Sequence, residues 1–167
     1  GNGYAITAII GRRSIMDASQ TSFISSTFWT ERIGPTAALK TLEVMNREKS
    51  WKFVTKTGER LKNSWQELAL SHDLSISHVG LPALAGFYFP CKNNLLYKTL
   101  ITQEMLKKGF LAATSCYLST AHDEKTIDCY LEELDKVFKL IAKCENGFPV
   151  KSLLEGPVCH DSFKRLN

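Results

Sequence analysis

Residues 4–11, Tyr-Ala-Ile-Thr-Ala-Ile-Ile-Gly, limit what this chain can become more than any other stretch. The run is short, rich in β-branched residues and closed by glycine, a pattern that predicts a buried strand. A lone strand leaves its backbone groups unpaired and both apolar faces in water. The next twenty residues offer it no partner. Ser14 to Ala18 reads as one helical turn, and Phe23-Ile24 leads into a polar Ser25-Ser26-Thr27 loop. The expectation is a strand that completes a sheet supplied by upstream sequence. The opening on Gly1-Asn2-Gly3, with no methionine, points the same way.

Helical periodicity dominates the next forty residues. Gly34-Pro35 opens a helix, with proline tolerated in the first turn because its missing N–H has no partner there. Leu42 and Met45 follow Ala38 at helical spacing. Beyond Ser50, Trp51, Val54, Gly58, Leu61, Trp65 and Leu68 step by three or four, which predicts one apolar face packed in a core.

The texture changes near Asp73. Strands are expected over 75–79 and 84–89, with a turn at Gly80-Leu81-Pro82 between them. A helix from Asn94 should end at Gly109, and residues 110–118 read as a third strand. Asp123 can cap a long helix whose face is Ile127, Leu131, Leu134, Phe138 and Ile141, ended by Asn146-Gly147 and Pro149. The last stretch, 150–167, is mixed.

Composition narrows the functional classes. An apolar share of 44% with 23% charged residues belongs to a globular chain. The 21 basic and 17 acidic residues leave a formal charge of +4. The basic pairs Arg12-Arg13, Lys107-Lys108 and Lys164-Arg165 are scattered, so no nucleic-acid partner is expected. The five cysteines form no C-x-x-C pair and share no ligand spacing with the four histidines, so no metal is expected. That cysteine usage suggests reduced thiols and a cytoplasmic setting. No apolar run approaches the length of a membrane span, so no membrane partner is expected. Cys159-His160, His72, His78 and His122 read as structural, the last three at element ends or helix starts; sequence neighbours seldom form a nucleophile–base pair. Glu31 and Arg32 read equally well as neighbours of a site or as a surface ion pair.

Two segments resemble the class III aminotransferases, the fold type I enzymes dependent on pyridoxal 5'-phosphate (PLP), in particular the glutamate-1-semialdehyde aminomutase-like branch. One is Gly1-Asn2-Gly3-Tyr4-Ala5-Ile6, running to Gly11-Arg12; in the family a Lys-x-x-Gly-x-Gly stretch carries the lysine that holds the cofactor covalently. The matching lysine would lie just before Gly1. The other is the run from Ser25 to Leu39, similar to the family's threonine-containing loop followed by an alanine-rich helix. The order downstream, through about residue 145, is also similar.

The resemblance implies an α+β chain (α/β in the intact parent). Residues 1–33 would be a remnant of the PLP-binding large domain, 34–73 bridging helices, and 74–167 a small C-terminal domain of short strands with helices packed on the sheet. It implies a PLP-dependent transaminase or aminomutase acting on a small amino-acid or amino-sugar-like substrate. It implies Thr27, with Ser26 beside it, at the cofactor phosphate, and a homodimer in which that threonine reaches the neighbouring subunit's site. A hydroxyl loop feeding a helix is chemically suited to a phosphate. No catalytic residue is assigned, and with the lysine upstream the chain alone is expected to be inactive. Thr114 stands where the aminomutases carry an acidic residue, which favours an ordinary transaminase. The alternative is a non-catalytic, truncated domain that dimerises or binds a partner; a free-standing α+β interaction domain is a third reading.

Overall fold

In the computed structural model, residues 2–161 are described. Gly1, the Lys164-Arg165 pair and the end of the expected 74–167 domain lie outside them. The chain divides into two compact units, the first ending at Ser50 and the second beginning at Trp51.

The second unit is built around a three-stranded antiparallel sheet, β1 (Ser77–Val79), β2 (Leu84–Tyr88) and β3 (Ser115–Tyr117), with β2 in the middle. His78 faces Phe87 across one ladder and Ala85 faces Cys116 across the other. Three helices supply the rest: α3 (Ser50–Ser71), α4 (Asn94–Lys107) and α5 (Glu124–Glu145). Their inward residues meet the sheet in one core. Trp65 of α3 packs on Phe87 with ring centroids 4.8 Å apart. Phe138 of α5 meets Phe87 at 5.8 Å and Phe89 at 5.9 Å, and Tyr97 of α4 meets Phe89 at 5.2 Å. These tilted and edge-on geometries are the ones the ring quadrupoles favour.

The expected elements of this unit form, with instructive differences. Asp123 caps α5 by accepting the Thr126 backbone N–H at 2.8 Å, and its carboxyl is held below the usual range by the Thr126 side chain and backbone. Gly109 takes φ +84° just past α4, the left-handed conformation that suits glycine there. The third strand is shorter than 110–118: residues 110–114 are a loop, and only 115–117 pair with β2. The apolar face of α3 is buried from Gly58 through Leu61, Trp65 and Ala69, but Trp51 is exposed. Gly58 is required by space, because a Cβ there would stand 1.9 Å from the Pro82 carbonyl oxygen. His78 lies within β1 rather than at its end.

The first unit holds α1 (Arg13–Met16), a 3-10 turn over Asp17–Thr21, an irregular stretch, and α2 (Ile33–Glu48). The buried strand expected over 4–11 does not form. Residues 5–12 carry no regular structure and are exposed, because the described part of the unit contains no strand to bond with. Among residues 2–50, Gly34 alone is fully buried. Leu39 and Leu42 of α2 stay in solvent, so that helix has no core of its own.

Phe138→Ala should cost about 3–5 kcal/mol in urea unfolding, the range for a large aromatic lost from a packed core. Gly58→Ala should also destabilise, by about 1–3 kcal/mol, although alanine favours helices, because the Pro82 backbone cannot yield freely. By hydrogen exchange on the monomer, amides of 97–105 and 134–141 should be strongly protected and those of Ala5 to Ile10 should not. Strong protection of Ala5 to Ile10 would contradict the unpaired segment.

Candidate functional site

Both segments that carried the family resemblance fall in the first unit, and the structure brings them together. The contact is made by Gly34 in the first turn of α2. A Cβ at that position would sit 2.5 Å from the Ala5 carbonyl oxygen and 3.4 Å from the Ile6 side chain. Only glycine lets the opening segment lie this close to the helix start. Gly3, at φ +103°, turns the chain at the head of the same segment.

The approach encloses an open cavity of about 1000 Å³. Ala5, Ile6 and Thr7 line one side, and Ser26, Thr27 and Glu31 belong to the same lining. Ser26 Oγ accepts the Phe28 backbone N–H at 3.2 Å, which ties the loop into a local turn. Thr27 is exposed, and its hydroxyl makes no hydrogen bond among the described residues. Ser26 and Thr27 therefore stand in one cavity with residues 5–7, just after the Gly-x-Gly stretch.

One feature departs from a simple helix-start anion site. The first free amides of α2 are already bonded: the Glu31 carboxylate accepts from Ile33 N–H and, at 2.9 Å, from Gly34 N–H. Glu31 is thus a capping residue, neither an ion-pair partner of Arg32 nor a bystander. An acidic side chain two residues before the first helical position could have signalled this. A phosphate in the cavity would have hydroxyl donors from the loop but not these two amides, and would meet a carboxylate beside them.

The remaining residues singled out from the sequence are placed elsewhere. His72 Nε2 lies 2.7 Å from Asp135 and links the end of α3 to α5. His78 has its Nδ1 buried without a partner among the described residues; burial, with Lys62 nearby, holds its pKa down. His122 Nδ1 accepts the Ser119 backbone N–H at 3.0 Å. Cys159 donates its backbone N–H to Thr99 Oγ1 at 3.0 Å, while its thiol lies 3.6 Å from the Leu95 carbonyl oxygen, so its contacts are with α4 and not with His160. Among the described residues no group of His, Cys, Asp and Glu is arranged to hold a metal ion. No helix among them is long and apolar enough to cross a membrane.

No family model matches the chain. Individual proteins do. A 3-aminobutyryl-CoA aminotransferase of Cloacimonas acidaminovorans (strain Evry) is 26% identical over 150 residues, covering 84% of this chain and 36% of that protein. A glutamate-1-semialdehyde 2,1-aminomutase of Methanocaldococcus jannaschii is 24% identical over 156 residues, covering 83% and 36%. A 2'-deamino-2'-hydroxyneamine transaminase of Streptomyces kanamyceticus matches a shorter stretch, 28% over 79 residues. Among solved structures, the PLP internal aldimine form of the Sphingopyxis sp. MTA144 FumI protein superposes with a TM-score of 0.68 at 19% identity, over 87% of this chain and 36% of that one. The chain spans about a third of the length of these longer matches. In sequence the chain is similar to about a third of an aminotransferase and of a glutamate-1-semialdehyde 2,1-aminomutase, and in fold to part of a PLP-bound protein.

Proposed function

We propose that the chain is the carboxy-terminal portion of a PLP-dependent aminotransferase or aminomutase, working as a homodimer in the cytoplasm on a small amino-acid or amino-sugar-like substrate. The observation that carries the reading is the cavity shared by residues 5–7, which follow the Gly-x-Gly stretch, and the Ser26-Thr27 loop. Residues 1–33 are then the end of the cofactor-binding domain, 34–73 the bridging helices, and 74–167 the small domain over the substrate. The apolar side chains left in solvent on the first unit, Ile9, Ile10 and Phe23 among them, support a larger surrounding structure.

The residues present fit the phosphate end of PLP in one respect and oppose it in another. Thr27 offers an unspent hydroxyl and Ser26 a second one, whose oxygen already accepts a backbone N–H but whose proton is available. Glu31 takes up the helix amides and brings negative charge to the same wall. Thr27 and Ser26 are therefore the holding residues, and Glu31 sets how tightly they hold. PLP, when bound, supplies the electron sink for chemistry at the substrate's amine-bearing carbon. The protein's part here is to fix the phosphate and so orient the ring. The lysine of the family motif is not among these 167 residues, so on this reading the chain alone forms no specific, stoichiometric adduct with PLP and turns over no amino donor.

Three measurements test this. Borohydride trapping of the chain mixed with PLP should give no single stoichiometric lysine adduct; one such adduct with turnover would overturn the inactivity. In a longer protein that includes the motif lysine, Thr27→Val should weaken binding of pyridoxamine phosphate by roughly ten- to a hundredfold, the effect of one hydrogen bond to a charged group. Thr27→Ser should keep most of the affinity. Unchanged affinity in the valine variant would reduce Thr27 to a loop residue and favour the non-catalytic reading. Glu31→Gln, which keeps an oxygen acceptor but removes the charge, should tighten binding of the same cofactor. Weaker binding would show that Glu31 organises the loop more than it repels the phosphate.

A further inference from the structure

A second cavity lies wholly within the second unit, among α3, β3, the 109–112 loop and the start of α5. Its volume is about 460 Å³, which falls in the range of small-molecule sites. Leu61, Phe110, Leu111 and Ile127 make much of its wall apolar. Tyr130 and His122 interrupt that wall with fixed polar groups.

The Tyr130 hydroxyl oxygen accepts the Trp65 indole N–H at 3.1 Å. Its own proton has no acceptor among the described residues. The ring is held by an edge-on contact with Phe110 at 5.9 Å, so the hydroxyl cannot easily swing away. Burial raises the pKa of this phenol, which keeps it a donor. His122 is also fixed in its role. The Ser119 backbone N–H donates to Nδ1, so Nδ1 presents its lone pair and the neutral ring carries its proton on Nε2. That second N–H has no acceptor among the described residues either. Two donors without protein acceptors, lining a largely apolar wall, favour an acceptor group attached to an apolar body.

We propose that this cavity binds a small monocarboxylate with an aromatic or short alkyl body, the carboxylate accepting from the Tyr130 hydroxyl and from His122 Nε2–H. Its size suits a ligand of about ten non-hydrogen atoms. The proposal does not rest on the aminotransferase reading, because the cavity and both donors belong to the second unit and the ligand carries no amine.

The test uses the 167-residue chain and 3-phenylpropionate, with propylbenzene as its uncharged twin. Titration followed by amide NMR should give saturable shifts at Phe110, Cys116, His122 and Tyr130. Cys116 lines the cavity and is only half-buried, so its alkylation by iodoacetamide, mapped by peptide, should slow severalfold when 3-phenylpropionate is bound. Tyr130→Phe should weaken binding about tenfold or more, the effect of one hydrogen bond to a charged acceptor. Ala112→Phe, which fills the cavity from the loop, should abolish binding with Tyr130 intact. Propylbenzene should bind more weakly than the carboxylate. The proposal fails if the unmodified chain shows neither saturable cavity shifts nor protection of Cys116. It also fails if a folded Tyr130→Phe variant binds as tightly as the unmodified chain. Should that variant not fold, the protection of Cys116 and the comparison with propylbenzene still decide.

Discussion

Everything ordered in the second unit depends on the two phenylalanines of the central strand region. Phe87 lies in β2 and Phe89 just past it, and between them they touch Trp65 of α3, Tyr97 of α4 and Phe138 of α5. A three-stranded sheet with strands of three to five residues is marginal by itself. Here it is stabilised because three helices bury their largest side chains on one strand. Each such aromatic buries on the order of 150–250 Å², worth several kcal/mol at the usual coefficient. The polar tips of that core are paired as well. Trp65 donates to Tyr130, and Tyr97 donates to Glu145 at 2.5 Å, so neither ring brings an orphaned group inside.

The first unit lacks any such centre. Fixing its backbone costs on the order of 1–2 kcal/mol per residue, and with one buried glycine there is little apolar burial to offset that. Its order comes from local devices: the Ser26 turn, the Glu31 cap and the periodicity of α2. The contrast is between a unit with a shared aromatic core and one held by local contacts. The residues proposed to hold the phosphate, Ser26 and Thr27, sit in the unit with less burial, as binding loops commonly do.

The legibility of the sequence divides along the same line. The second unit is readable because local and tertiary signals agree: Asp123 caps α5, Gly109 follows α4, and the Leu134, Phe138 and Ile141 stripe is buried as its spacing predicts. The opening run misleads for the opposite reason. Alternation and β-branching report that a segment suits a sheet, but they cannot supply the neighbour that makes it one. The third strand is short because apolar residues at 110–112 serve a loop that walls a cavity, a use that periodicity does not distinguish from a ladder. Glu31 is visible as an acidic residue near a helix start, yet its consequence for an anion site emerges only from the two amide contacts. Ser26 and Thr27 stand out through family resemblance alone, since a hydroxyl loop before a helix is more often a cap than a ligand site.

Two glycines explain how so few residues can position both cavities. Gly34 admits the Ala5 backbone to the first turn of α2, and Gly58 admits the Pro82 backbone to the middle of α3. In each case a methyl group would push helix and loop apart by more than the contact can absorb. At Gly34 the result is a hydroxyl loop and the opening segment lining one space. At Gly58 the helix is seated against the turn between β1 and β2, with Leu118 also within 3.0 Å of where a side chain would start. That seating fixes α3 one turn before Leu61, and two turns before the Trp65 indole that holds the Tyr130 oxygen. A glycine inside a helix lowers its intrinsic stability by roughly 1 kcal/mol against alanine. The cost is offset where the backbone approach it permits brings the aromatic core and the Tyr130 hydroxyl into register, and the flexibility of Gly58 is spent on rigidity elsewhere.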